Sequence, residues 1–177
     1  MNIKIINQNK DIARVIINEP KTYNSLSYKN LKDLINVFKK LDKDKKVKVI
    51  ILEGAGKGFS AGHNLKEVRG YKNRSNHLKL FTLCSKLMIQ IVEGRKPVIA
   101  KIHGAAYAAG CQLAASCDLA YSTNDASFAT PGVNIGLFCS TPMVAVSRKI
   151  NRKMCLLYTS PSTRDRQNTR MPSSACK

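Results

Sequence analysis

The sequence predicts an α/β fold built as one main domain. Short apolar, β-branched runs alternate with amphipathic stretches whose apolar residues recur every three or four positions. The bends between them are rich in glycine and alanine, which break regular structure where the chain must turn tightly. With 177 residues, 44% of them hydrophobic, the chain is long enough to bury a real core.

The elements follow in order. Residues 3–6 and 13–17 are apolar and flank a polar turn at 7–11, which makes a strand pair. Residues 18–25 form a loop around Pro20. Ser27 is placed to cap a helix whose stripe is Leu31, Leu34, Ile35, Phe38 and Leu41. Residues 47–52 are a buried strand, and 53–62 a glycine-rich loop. Residues 65–68 read as a short helix, and 78–92 as a longer one with Leu80, Leu83, Leu87 and Ile91 on one face. A strand at 97–102 precedes a helix at 108–116. Short strands at 119–122 and 127–129 follow, and a helix begins at 142–149. Strands alternating with helices imply right-handed crossovers. No internal repeat stands out.

Composition narrows the function. The net charge is +19. The lysines are scattered over exposed helix positions such as Lys29, Lys32, Lys39 and Lys40, without interleaved aromatics, so a solvated basic surface is expected and not a nucleic-acid partner. Such a surface suits a small ligand bearing phosphates. No apolar run approaches the roughly 20 residues that span a bilayer, so no membrane partner is expected. The start lacks signal-peptide and transit patterns, which predicts a cytoplasmic protein. Six cysteines stand at 84, 111, 117, 139, 155 and 176 without a CxxC pair, so no metal site is expected. Cys111, Cys117 and Cys139 read as buried, reduced thiols.

Residues 155–177 differ from the rest. They have no amphipathic period and are rich in Ser, Pro, Thr and Arg, which predicts a disordered tail beyond a domain at 1–154. The segment also resembles an in-frame translation of a sequencing-library adapter. That resemblance implies a non-native tail and a truncation near Met154.

Three stretches could carry chemistry. Gly54-Ala55-Gly56-Lys57-Gly58 invites a nucleotide loop. However, Lys57 is followed by Gly58 where a P-loop needs Ser or Thr, and Phe59 stands where a dinucleotide fingerprint needs glycine. The stretch from Phe59 to Lys66, FSAGHNLK, sets small residues between a bulky anchor and a helix start. The stretch from His103 to Asp118, HGAAYAAGCQLAASCD, does the same at a second bend. Backbone N–H groups at such junctions are unpaired, and two of them converging can polarise one carbonyl oxygen. Tight core packing is the competing reading. Cys111 with His103 would make a nucleophile pair, although a core role fits Cys111 better. Asp118 reads as a loop anchor and Glu67 as a structural group.

The stretches FSAGHNLKEV, HGAAYAAGCQLAASCDLAYSTNDASFATPGVNIGLFCSTP and NEPKTYNSLS resemble the crotonase (enoyl-CoA hydratase/isomerase) superfamily, over residues 1–154. The resemblance implies a spiral of ββα units, truncated before a C-terminal helical region, and assembly into trimers or hexamers when complete. It implies an acyl-CoA thioester as partner, with CoA arriving as part of the substrate and no separate cofactor. The backbone N–H groups of His63 and Ala109 would hold the thioester oxygen. Lys21, Tyr23, Leu26, His63, Asn64, Leu65 and Lys66 would contact CoA, and Thr130 and Asn134 the acyl group. The family's two catalytic glutamates fall on Gln112 and Gly132. Neither can exchange a proton, so two-glutamate hydration is not expected. A non-catalytic acyl-CoA binder is the alternative.

Overall fold

A computed structural model describes residues 2–9, 11–135, 138–151 and 170–171. The first pair of strands, β1 (Ile3–Asn9) and β2 (Ile12–Ile17), is antiparallel and longer than the apolar run alone suggested. A 3-10 turn at Pro20–Thr22 leads to α1 (Tyr28–Lys43). Its cap is the expected one: the Ser27 hydroxyl accepts from Asn30 N–H at 3.2 Å. The expected stripe is buried, with Val37 added to it. Each such aliphatic side chain contributes about 1.5–3 kcal/mol on full burial.

From there the chain climbs a spiral of two strands and a helix per turn. The strands β3 (Val49–Gly54) and β4 (Gly58–Ser60) precede α2 (Leu65–Gly70) and α3 (Arg74–Val92). Then β5 (Val98–Ile102) and β6 (Ala105–Tyr107) precede α4 (Ala109–Ser116). Last, β7 (Leu119–Ser122) and β8 (Ser127–Ala129) precede a 3-10 turn at Pro131–Ile135 and α5 (Ser140–Val146). The first strand of each turn joins a sheet ordered β1-β2-β3-β5-β7, and the second joins a sheet ordered β4-β6-β8-β9, where β9 is Arg170–Met171. From β2 onward the first sheet is parallel, as crossover connections require. The repeat therefore exists in the backbone although the sequence shows none, because the helices between strand pairs differ in number and length.

Several expectations are corrected. The loop at 53–62 contains β4, and the bend before α4 contains β6. Both are three residues long, too short for alternation to register, and they form by pairing with each other. Helix α3 starts four residues early because Asn73 caps it, its side chain accepting from Asn76 N–H at 3.0 Å. Helix α5 starts at Ser140, ahead of Pro142, which is tolerated in a first helical turn. Of the tail expected to lack order, only Arg170–Met171 falls among the described residues, and it forms β9, antiparallel to β8.

The core lies between the first sheet and the helices. Val15, Ile17, Ile50, Leu52, Ala100 and Ile102 meet Leu31, Leu34, Leu80 and Leu87 in one cluster. On the other face of that sheet Glu53 is buried and held by Arg14 and by Lys101, at 3.3 Å from the latter. Cys84, Cys111, Cys117 and Cys139 are all buried, and burial pushes the Cys84 and Cys117 thiols up to about 12. No helix among the described residues is long and apolar enough to cross a membrane.

Candidate functional site

The two short strands explain how the two bends meet. Parallel neighbours β4 and β6 run side by side, so both deliver their C-terminal ends to the same edge. From β4 the chain turns through Gly62 and His63 into α2, and from β6 it turns through Ala108 into α4.

Two glycines permit the approach. Gly62 has φ +86°, and a Cβ there would lie 3.0 Å from Ala109 N and 2.9 Å from Tyr107 O. Gly110 is tighter still: its Cβ would stand 2.1 Å from Ser60 O. The first turn of α4 thus rests on the end of β4. Ala108 itself has φ 50° and ψ −119°, a strained conformation for a residue with a side chain. Its N–H donates to Ala129 O at 2.8 Å, which fixes the bend to β8. Ala109 opens α4, so its N–H has no acceptor within the helix.

His63 is half-buried. Its Nδ1 lies 3.3 Å from Leu26 O, and Phe81 meets its ring edge-on at 5.1 Å. Burial lowers its pKa below the usual 6.5, against weaker opposing effects of Leu26 and Glu67, and keeps the ring neutral at pH 7. Leu26 and His63 form a parallel bridge in which Leu26 N–H donates to Gly62 O at 2.7 Å. In that arrangement the N–H of His63 faces away from Leu26.

The early loop is tied to the same bend. Ala61 N–H donates to Tyr23 O at 2.9 Å, and the Ser60 hydroxyl to Asn24 O at 2.9 Å. The buried Asn24 amide donates to Ala55 O and Gly58 O, each at 2.7 Å, and its oxygen accepts from Glu19 N–H at 3.0 Å. The glycine-rich residues 54–58 therefore wrap a buried asparagine. His103 binds Gly56 O at 2.7 Å, which ties it to this same loop.

The expected contact residues divide. Lys21, Tyr23, Leu65 and Lys66 are exposed around the bend, while the Leu26 side chain is fully buried in the core. Asn64 caps α2, its side chain accepting from Lys66 and Glu67 N–H at 3.1 and 3.2 Å. Thr130 is fully buried and its carbonyl accepts from the Cys139 thiol, and Asn134 is exposed. The Glu67 carboxylate accepts from Tyr28 N–H at 3.0 Å and Tyr71 OH at 2.8 Å, a structural clasp between α1 and α2. Burial first, then Glu67, raises the Tyr71 hydroxyl to about 12. Asp118, between α4 and β7, accepts from Val98 N–H at the start of β5 at 2.8 Å.

Sequence reasoning missed a cavity of about 300 Å³ between α3, α4 and α5. Gln112 lines it from α4, with Met88 and Ile89 from α3 and Val144 from α5. Gln112 is 6% exposed, and its Oε1 has no hydrogen-bond partner among the described residues. Gly132, Thr130 and Asn134 are not among the described lining residues. Helical spacing on α3 marked Leu87 and its neighbours as apolar, but a cavity between three helices has no signature in any one of them. No group of three His, Cys, Asp or Glu suited to a metal occurs among the described residues.

A family model for enoyl-CoA hydratase/isomerase matches residues 7–167, and the chain belongs to that family. Its fold is the crotonase fold: the crystal structure of a Mycobacterium smegmatis enoyl-CoA hydratase superposes with a TM-score of 0.90 at 38% identity, covering 98% of this chain and 65% of that one. Among curated proteins it is similar to enoyl-CoA hydratase domain-containing protein 3, mitochondrial. The rat protein is 44% identical over 149 residues (84% of this chain, 50% of the rat protein), and the human protein 46% over 145 residues (82% and 48%). The chain thus spans about half the length of these relatives. Their names also overturn the expectation of a cytoplasmic protein, since both are called mitochondrial. That expectation rested on the first residues of a chain matching half a relative, which are no guide to an address.

Proposed function

We propose that this chain binds an acyl-CoA thioester and polarises its carbonyl with the backbone N–H groups of His63 and Ala109. The observation that carries this is the seating of Gly62 against Ala109 N, which brings two helix-opening bends together at one edge of the second sheet. Negative charge developing on a thioester oxygen there would meet fixed dipoles that need no reorganisation. Exposed Lys21, Lys66 and Tyr23 surround the bend, suited to the phosphates and base of CoA. The acyl chain would run down α4 past Gln112 into the apolar cavity.

Family membership favours hydratase- or isomerase-type chemistry on a fatty acyl-CoA, in a homotrimer or hexamer. Gln112 favours a second reading, a binder without turnover, because an amide cannot act as general acid or base near neutral pH. Titration with crotonyl-CoA and butyryl-CoA, followed by a turnover assay, tests both. Saturable binding above that of CoA alone, weakened by Gly110→Ala, supports the thioester site, and its absence overturns it. Turnover lost with a cavity substitution selects the enzyme; tight binding without turnover selects the binder.

A further inference from the structure

The cavity beside Gln112 has apolar walls and a cationic end. Met88, Ile89 and Val144 form the walls. Arg148 and Lys149, just beyond α5, line it as well; both are exposed, and neither makes an ion pair among the described residues. Lys149 lines the cavity together with Ser116, the last residue of α4. Ala109 stands at the opposite end of that helix.

We propose that this site selects acyl-CoA thioesters whose chain ends in a carboxylate, read by Arg148 and Lys149. The inference rests on the thioester reading above. Residues three and seven positions after Ala109, Gln112 and Ser116, share its face of α4 and both line the cavity. From Ala109 to Ser116 the helix rises about 10 Å at 1.5 Å per residue. An extended chain covers that distance in about eight carbon–carbon bonds, advancing about 1.25 Å for each 1.5 Å bond at a tetrahedral angle. The long Arg and Lys side chains shorten the requirement, which puts the carboxylate at about the sixth to eighth carbon.

Beside a methyl-ended chain Arg148 and Lys149 stay solvated and contribute nothing to binding, while Gln112 Oε1 is shut away from any donor. A carboxylate-ended chain meets the cations and brings hydration water, which can donate to Gln112. One ligand chemistry therefore answers the two unpaired charges and the orphaned amide oxygen together.

The test compares chains of equal length. Adipyl-CoA against hexanoyl-CoA, and suberyl-CoA against octanoyl-CoA, are titrated into the 177-residue chain by calorimetry, with CoA alone as the baseline for its basic surface. At least one carboxylate-ended ester should bind about tenfold tighter than its partner, ~1.4 kcal/mol, with the ratio shrinking as salt rises. In the double variant Arg148→Gln, Lys149→Gln the ratio should fall to about one, while Lys39→Gln, Lys40→Gln on α1 should keep it. Equal affinities for both pairs, or a ratio that survives the Arg148/Lys149 change, overturns the proposal. If hexanoyl-CoA and octanoyl-CoA bind without a carboxylate preference, only this inference falls. If no ester binds above CoA alone, the thioester reading falls and takes this one with it.

Discussion

Gly110→Ala separates local propensity from tertiary packing by the sign of one measurement. Gly110 is the second residue of α4, and alanine in a helix is favoured over glycine by up to about 1 kcal/mol. Propensity alone therefore predicts a more stable protein. The new methyl, however, would sit 2.1 Å from Ser60 O, 2.8 Å from Ser60 C and 2.9 Å from Ser60 Cβ. Two of those atoms are backbone and cannot rotate away. Either α4 or β4 must move by about 1 Å to restore van der Waals separation. Overpacking against backbone that cannot rotate away costs about 3 kcal/mol, the upper end of its usual range, which outweighs the propensity gain. The net loss is about 2 kcal/mol, and at about 2–4 °C per kcal/mol for a chain of this size the melting temperature should drop by about 4–8 °C in scanning calorimetry. Gly70→Ala is the control: that glycine ends α2 with nothing within 4 Å of the added methyl, so it should leave the melting temperature unchanged or slightly raised. A Gly110→Ala protein as stable as the Gly70→Ala protein would refute the claim that α4 is seated on β4.

Ala108→Gly should act in the opposite direction. Relief of a φ of 50° with ψ −119° is worth about 1–3 kcal/mol, less about 0.5–1 kcal/mol of added chain entropy, so the melting temperature should rise by a few degrees; a fall would show that the bend is unstrained. For His63 the folded pKa lies below the unfolded 6.5, so the unfolded chain binds the proton more readily. Its contribution to stability is then complete above pH 6.5 and lost as pH falls through the folded value. Ring signals in an NMR titration should place the midpoint below 6.5, and a midpoint at or above it would contradict the burial of His63 against Phe81.

The legible parts of the fold were those written in local pattern. The stripe on α1 and its Ser27 cap repeat one face of one helix, and β2, β3 and β5 are runs rich in β-branched residues and long enough to register. The strands β4 and β6 escaped because their order comes from pairing across a long sequence separation. The shape of the glycine-rich loop was illegible for the same reason: it is set by Asn24, a residue of another loop, whose amide reaches Ala55 and Gly58 carbonyls. The candidate site was half legible. Small residues at two bends signalled close backbone approach, and Gly62 and Gly110 do make it. That Leu26 turns inward, that Asn64 caps a helix, and that Gln112 faces a cavity with Arg148 at its rim depend on packing that no single segment encodes.

Gln112→Glu asks whether one carboxyl could supply the acid–base chemistry that an amide lacks. The side chain is 6% exposed, its oxygen has no donor among the described residues, and Arg148 and Lys149 stand at the exposed end of the cavity. A carboxyl placed there loses hydration without gaining a hydrogen bond, which raises its pKa against the opposing pull of the two cations. As a neutral acid it could donate a proton, but hydration also needs a base to activate water, and Gly132 offers no side chain for that role. The variant should therefore bind CoA esters yet leave crotonyl-CoA hydration at the level of the parent chain. Adding Gly132→Glu supplies the second carboxyl, and only the pair should raise the rate, by at least about 100-fold if general acid–base catalysis contributes its usual share. A comparable rise from Gln112→Glu alone would mean that the chain already holds a base elsewhere, and the reading of Gln112 as the residue that separates binding from turnover would be wrong.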